Sequence, residues 1–277
     1  KTRLYLMPEL PEVETTLRGI SPHIKNQTVH QVIIRQPKLR WLIPAELPQL
    51  IEQQTLLNLS RRAKYLLLHF ANGTLLIHLG MSGSLRVITD NTPAAKHDHF
   101  DIVFAHNKRI RLTDPRRFGA VLWLGKNPES HSLISKLGPE PLSTEITANH
   151  LYQKSRAKKV SIKQFLMDQS VITGVGNIYC TEALHTAGIS PIRAAGNISL
   201  KRYQKLLVTT QKILTLAIEQ GGTTLRDFVG GDGKPGYFKQ ELSAYGRAGL
   251  PCKNCQRTLV EIKQAQRTTV YCTRCQT

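Results

Sequence analysis

Cys252-x-x-Cys255, sixteen intervening residues and then Cys272-x-x-Cys275 constrain this chain more than any other stretch. Each pair offers two thiolates from one tight turn, and four thiolates complete the tetrahedral shell of a structural zinc ion. A segment of about 25 residues has too little apolar surface to order itself, so metal binding and folding would be one event. A disulfide framework and an iron–sulfur cluster are the alternatives. The lack of a secretory segment argues against the first, and the spacing in a lone hairpin against the second. With all four positions taken by protein, the expected ion is one, structural and without a place for substrate.

Charge says what such a module would meet. Thirty-eight Lys and Arg against 19 Asp and Glu leave a formal charge of +19, which favours a polyanion by attraction and counterion release. Nucleic acid leads; a merely basic surface, or a ribosome-associated protein, is the bland alternative. The cations form no single amphipathic helix, and no apolar run nears the roughly 18 residues of a membrane span. Nothing directs the chain outside the cytoplasm, so a soluble, cytoplasmic protein is expected. At 277 residues and 40% hydrophobic, the chain can bury two cores and carry a small appendage.

Val13, Leu17 and Ile20 recur at helical spacing after Pro11, which suits a first helical turn. From Thr28 to Leu124 the pattern becomes β-rich, in runs at 29–34, 65–70, 75–79, 102–104 and 121–124, with a turn signal at Asn72-Gly73. This half reads as an antiparallel sandwich or barrel with a helical insertion near Pro48–Gln54. Gly138-Pro139-Glu140-Pro141 is incompatible with a helix and marks the boundary. Helices are expected at 148–156, 162–167, 177–187 and 200–220, followed by a Gly-rich stretch through Gly236 and a metal-held hairpin. The expected division is an upstream extension (1–6), a β-sandwich (7–137), a helical domain (138–247) and a four-cysteine finger (248–277).

Several residues could carry chemistry. Met7-Pro8-Glu9 would set a secondary amine beside a carboxylate if the chain began at Pro8; residues 1–6 upstream make that nitrogen an ordinary amide, so the mature protein is expected to start at Pro8, residues 1–6 being a misplaced start or a removable leader. Gly174-Val175-Gly176-Asn177 precedes a helix and can present N–H groups to a phosphate, or form a plain tight turn. Lys64 lies in the basic turn Arg61-Arg62-Ala63-Lys64, either aimed into a cleft or solvated. Arg267, between the cysteine pairs, can reach a phosphate or stay solvated. His97-Asp98-His99 and Arg116-Arg117-Phe118 offer polar or cationic groups beside an aromatic, of the kind that grips phosphates and wedges into a base stack. Met81 and Phe118 can equally be core residues.

Pro8–Glu14, His78–Leu85, Asp114–Gly119, Gly174–Tyr179, Asp232–Tyr237 and the four-cysteine module run in one order over nearly everything from Met7 onward. Together they closely resemble the bacterial formamidopyrimidine-DNA glycosylases. The resemblance implies an α+β multidomain fold: an N-terminal antiparallel β-sandwich flanked by helices, a helix-two-turn-helix domain and a terminal zinc-finger hairpin. It implies a monomeric base-excision-repair enzyme that removes 8-oxoguanine and formamidopyrimidines from damaged double-stranded DNA, then cuts the strand by β,δ-elimination. Pro8 matches the nucleophile and Glu9 the general acid, with Glu12 in support; Lys64 and Arg267 match residues of the elimination steps. His97, Arg116 and Lys158 match DNA contacts, and Lys163 and Asn177 are further phosphate candidates. Met81, Arg116 and Phe118 match the trio that fills the gap left by a flipped nucleotide. Residues 223–237 match a loop over the flipped base, and Cys180 is left as a buried structural thiol.

Overall fold

A computed structural model describes residues 8–90, 92–105, 108–221 and 242–277. The upstream extension with Met7, and the loop expected at 223–237, lie outside the described residues. Those described fall into two compact units, one running to Ser135 and resuming at Ile218, the other covering Lys136–Ala217 and the C-terminal segment.

Unit 1 opens with helix α1 (Leu10–Ile24). Its first turn is closed by a reciprocal box: the Glu9 carboxylate accepts the Glu12 N–H, and the Glu9 N–H donates to Glu12 Oε2 at 2.9 Å. Two helix-end donors are thereby satisfied by side chains, which fixes where the helix starts. Val13, Ile20 and Ile24 turn inward and pack on two four-stranded antiparallel sheets. One has the order β1 (Val29–Ile34), β6 (Asp98–Phe104), β7 (Arg109–Thr113), β5 (Ser84–Ile88); the other runs β2 (Asn58–Arg62), β3 (Tyr65–Phe70), β4 (Gly73–His78), β8 (Ala120–Trp123). Val32, Phe100, Ile102 and Leu112 of the first share one core with Leu66, Leu68, Leu75 and Ile77 of the second. The β-rich half is thus a sandwich, with α2 (Leu47–Ile51) as its helical insertion.

One buried polar cluster lies within the first sheet. Asp101 is fully buried, and it accepts from Arg35 and Arg111 at 2.8 and 2.9 Å. Burial opposes its charge, but the two guanidiniums outweigh it and hold the carboxyl below its usual range. Arg111 also donates to the carbonyls of Thr92 and Pro93, which fastens the segment leading to His97.

Unit 2 holds α3 (Ala148–Ser155), α4 (Ile162–Leu166), α5 (Asn177–Ala187), α6 (Leu200–Glu219) and the antiparallel hairpin β9 (Val260–Gln264) and β10 (Arg267–Tyr271). Thr147 and Ser161 cap α3 and α4 through their hydroxyls, and α5 ends at left-handed Gly188. Cys180 is fully buried on α5.

Candidate active site and nucleic-acid interface

In unit 1 the head of α1 carries Pro8 and Glu9. Pro8 is buried and Glu9 is 2% exposed. Lys64 sits in the two-residue turn between β2 and β3, after Ala63 at φ +53°. That turn is tied to α1: Glu14 pairs with Arg61 at 2.9 Å, and Arg61 donates onward to the Ala63 carbonyl at 2.8 Å. Arg61, readable in sequence as a solvated cation, has only 10% of its side chain exposed. One helix therefore sets both the position of Pro8–Glu9 and the turn that presents Lys64.

His78 stands beside Lys64 at the end of β4. Burial, then the positive charges of Lys64 and Arg40, push its pKa down to about 4, so its ring is neutral at pH 7. Its Nδ1 accepts the Gly80 N–H at 3.2 Å, and the ring also hydrogen-bonds the backbone of Phe118. The turn holding half-buried Met81 and the turn holding Arg116 and Phe118 thus meet at one imidazole. The approach is close: a Cβ on Gly80, which has φ +67°, would lie 2.5 Å from Phe118 and Gly119 backbone atoms. Phe118 is 44% exposed, with the Arg116 guanidinium 5.0 Å from its ring centre.

Asp114 anchors the second turn. Its buried carboxylate accepts from Gly119 N at 2.7 Å and Arg116 N at 3.3 Å, while its own N–H donates to the His97 carbonyl. Burial lifts its pKa, and backbone donors from Gly119, Arg116 and Arg117 act against that rise. His97 itself is half-buried, edge-on to His99. Sequence reasoning assigned no role to Asp114 or His78; an aspartate ahead of proline and two arginines is a turn signal that could have marked the first.

In unit 2 the four cysteine sulfurs lie within 4.8 Å of one another. The Cys252–Cys275 and Cys255–Cys272 separations are 3.9 and 3.4 Å, close to the roughly 3.8 Å tetrahedron edge implied by Zn–S bonds of about 2.3 Å. The donor set therefore fits one structural zinc, and His185 Nε2 stands 3.5 Å from Cys252 Sγ as an outer partner.

The same hairpin is fastened to the helices by two residues read from sequence as phosphate candidates. Lys163 is 1% exposed, and its ammonium donates to the Thr268 carbonyl and Thr269 Oγ1 at 3.0 and 2.8 Å. Asn177, at the start of α5, donates to the same Thr268 carbonyl at 3.2 Å. Both bonds fall just after Arg267, which is exposed beside Met167 Sδ at 3.9 Å. A cavity of about 190 Å³ lies there, lined by Lys163, Met167, Asp168, Gln264 and Arg267. Lys158 is exposed on the α3–α4 connection. Glu182 accepts three consecutive N–H groups from Ser243, Ala244 and Tyr245 and so fixes the chain ahead of the cysteines.

A sandwich headed by a proline–glutamate pair, a helical unit with a Gly-x-Gly turn and a four-thiolate hairpin on a strongly basic chain define a zinc-containing protein of the DNA-glycosylase class. Three family profiles match: the formamidopyrimidine-DNA glycosylase N-terminal domain over residues 7–121, its H2TH domain over 137–229, and the zinc finger found in FPG and IleRS over 249–277. A formamidopyrimidine-DNA glycosylase of Psychromonas ingrahamii is 58% identical over 270 residues, 98% of this chain and all of that protein; one from Hahella chejuensis is 55% identical over the same shares. Among solved structures, Thermus thermophilus MutM (FPG) superposes with a TM-score of 0.85 at 36% identity, covering 97% of this chain and 98% of that one. Lactococcus lactis Fpg in complex with abasic-site DNA gives 0.89 at 31% identity, with 97% and 99% covered. The chain belongs to the formamidopyrimidine-DNA glycosylase family. Among its described residues, no helix is long and apolar enough to cross a membrane.

Proposed function

We infer that this chain is a bifunctional DNA glycosylase and abasic-site lyase of base excision repair, acting on oxidised purines in duplex DNA. The observation that carries the reading is the head of α1, where the Glu9–Glu12 box sets a proline and a buried carboxylate in the unit that also presents Lys64. In this reading the Pro8 nitrogen, as a free terminal amine, attacks the anomeric carbon of the damaged nucleotide. The bond to the base breaks, and the base leaves with its electron pair and gains a proton. Glu9 protonates the sugar ring oxygen as the ring opens, leaving an iminium. That cation acidifies the adjacent 2′-hydrogen, so loss of the 3′-phosphate and then of the 5′-phosphate follows. An α-amine with a pKa near 7.8 is about 10–20% unprotonated at pH 7, whereas an ordinary lysine at about 10.4 is well below 1%. A terminal amine therefore suits the step better than Lys64.

Lys64 serves the elimination steps as proton donor or phosphate partner. Arg267 holds a phosphate, since a guanidinium keeps its proton up to a pKa above about 12. Arg116, Lys158 and His97 contact the backbone, and Met81, Arg116 and Phe118 fill the space of the flipped nucleotide. For Lys163 and Asn177 the contacts with Thr268 favour holding the Arg267 hairpin over touching phosphate directly. The zinc, when bound, supplies only a rigid hairpin. All three matched family segments lie on one chain, which supports action as a monomer, and a DNA substrate is what supports action in the cytoplasm, at the nucleoid. The test is base release and strand cleavage on an 8-oxoguanine duplex beside its undamaged twin. Selective release with phosphate at both new ends is expected; release without cleavage, or equal action on both duplexes, would contradict the reading.

A further inference from the structure

We propose that Asp114 and His78 are positioning residues that hold the turns of Met81, Arg116 and Phe118 in one conformation before DNA arrives. The inference rests on the glycosylase reading above and adds the part that prepares its gap-filling side chains. Phe118 is 44% exposed, so packing cannot fix it, and its direction must come from its backbone. Arg117 adopts φ +55°, a left-handed conformation that a non-glycine residue keeps only when its surroundings enforce it.

Asp114 supplies that enforcement. Its carboxylate takes the N–H groups of Arg116 and Gly119 from inside the turn, and its peptide groups meet His97 and the His99 ring, each at 2.9 Å. No side chain fits at position 119, where a Cβ would lie 2.8 Å from the His78 carbonyl and 2.9 Å from Asp114 Oδ2. His78 then joins this turn to the next, taking the Gly80 N–H on one ring nitrogen and bonding the Phe118 backbone. Without these bonds, the entropy of ordering two turns would be drawn from the binding energy available for flipping. With them, the filler is set in advance and the His97 segment moves with it.

The experiment compares wild type, Asp114→Asn, Phe118→Ala and the double variant on one 8-oxoguanine duplex with 2-aminopurine next to the opposite base. The amide of Asp114→Asn keeps the shape but turns one acceptor into a donor facing a backbone N–H. Single-turnover base release should slow roughly 10- to 100-fold, the loss expected for one charged hydrogen bond. The 2-aminopurine signal, which reads unstacking by the filler, should weaken in parallel. Because Asp114 acts in part through Phe118, the double variant should lose clearly less than the product of the two single losses. A wild-type rate in Asp114→Asn, or losses that multiply in the double variant, would overturn the proposal. If Asp114→Asn does not fold, His78→Gln, alone and with Phe118→Ala, tests the junction of the two turns with the Asp114 carboxylate intact, and the same two outcomes decide. Absence of base release by wild type would instead defeat the glycosylase reading.

Discussion

Glu9 and His78 show how burial assigns work to single side chains in unit 1. Glu9 is 2% exposed yet held by a helix-start N–H, so it is fixed in direction. Glu9→Gln should cut 8-oxoguanine release by about 10²- to 10⁴-fold, the usual worth of a general acid, while trapping on a preformed abasic site is largely retained; single-turnover assays on the two substrates check this. His78 predicts an acid response. Its folded pKa of about 4 lies below the ordinary 6.5. The unfolded chain therefore binds the proton first, and stability present above pH 6.5 is lost as pH falls towards 4. The loss approaches about 3 kcal/mol. Chemical denaturation from pH 7 to 4 should show that slope in wild type and a flatter one in His78→Gln. Glu12, three residues on, is readable in sequence as the support of Glu9; Phe118 is not readable as a partner of His78, because the two meet only once β4 and the 114–119 turn are folded.

The elements divide by how they are bounded. Helix α5 is legible because Gly176 and Gly188 mark both ends, and β3 and β4 because their apolar runs flank Asn72-Gly73. Strands β2, β5 and β7 escape a sequence reading. Asn58–Arg62 is a mostly polar run, and Arg109–Thr113 alternates but carries two arginines that read as surface; both find partners inside the fold, Arg61 on Glu14 and Arg111 on Asp101. Ser84–Ile88 follows directly on a Gly-rich turn, and its alternation lasts only from Ser84 to Val87. The hairpin β9–β10 depends on two separable supports, zinc and Lys163. Cys255→Ser should lose zinc and, with it, DNA affinity, because thiolate–zinc bonding is most of that segment's folding energy; metal analysis with a binding titration checks both, and tight binding by metal-free protein would count against the hairpin's role. Lys163→Met keeps the volume but not the donors to Thr268 and Thr269. It should retain zinc while weakening abasic-site DNA binding about tenfold, the worth of one charged hydrogen bond.

At the scale of the whole molecule, the +19 charge announces a polyanion without saying where it lies. The α+β class, the zinc module and the family were legible because six motifs keep their order; the buried network of Asp101, Arg111 and Arg35 was not, since charge in a sequence reads as surface. If Lys64, Arg116, Lys158 and Arg267 each neutralise a phosphate, log K should fall with log salt with a slope of about −3.6 or steeper; binding titrations between 50 and 200 mM salt check it, and a slope near zero would remove the proposed interface. The central claim is that the Pro8 nitrogen is the nucleophile. Borohydride reduction during reaction with an 8-oxoguanine duplex, followed by intact-mass analysis and peptide mapping of the adduct, tests it directly. The account predicts one DNA remnant on the nitrogen of a chain beginning at Pro8; an adduct on Lys64, or full trapping by protein still carrying residues 1–7, would contradict it.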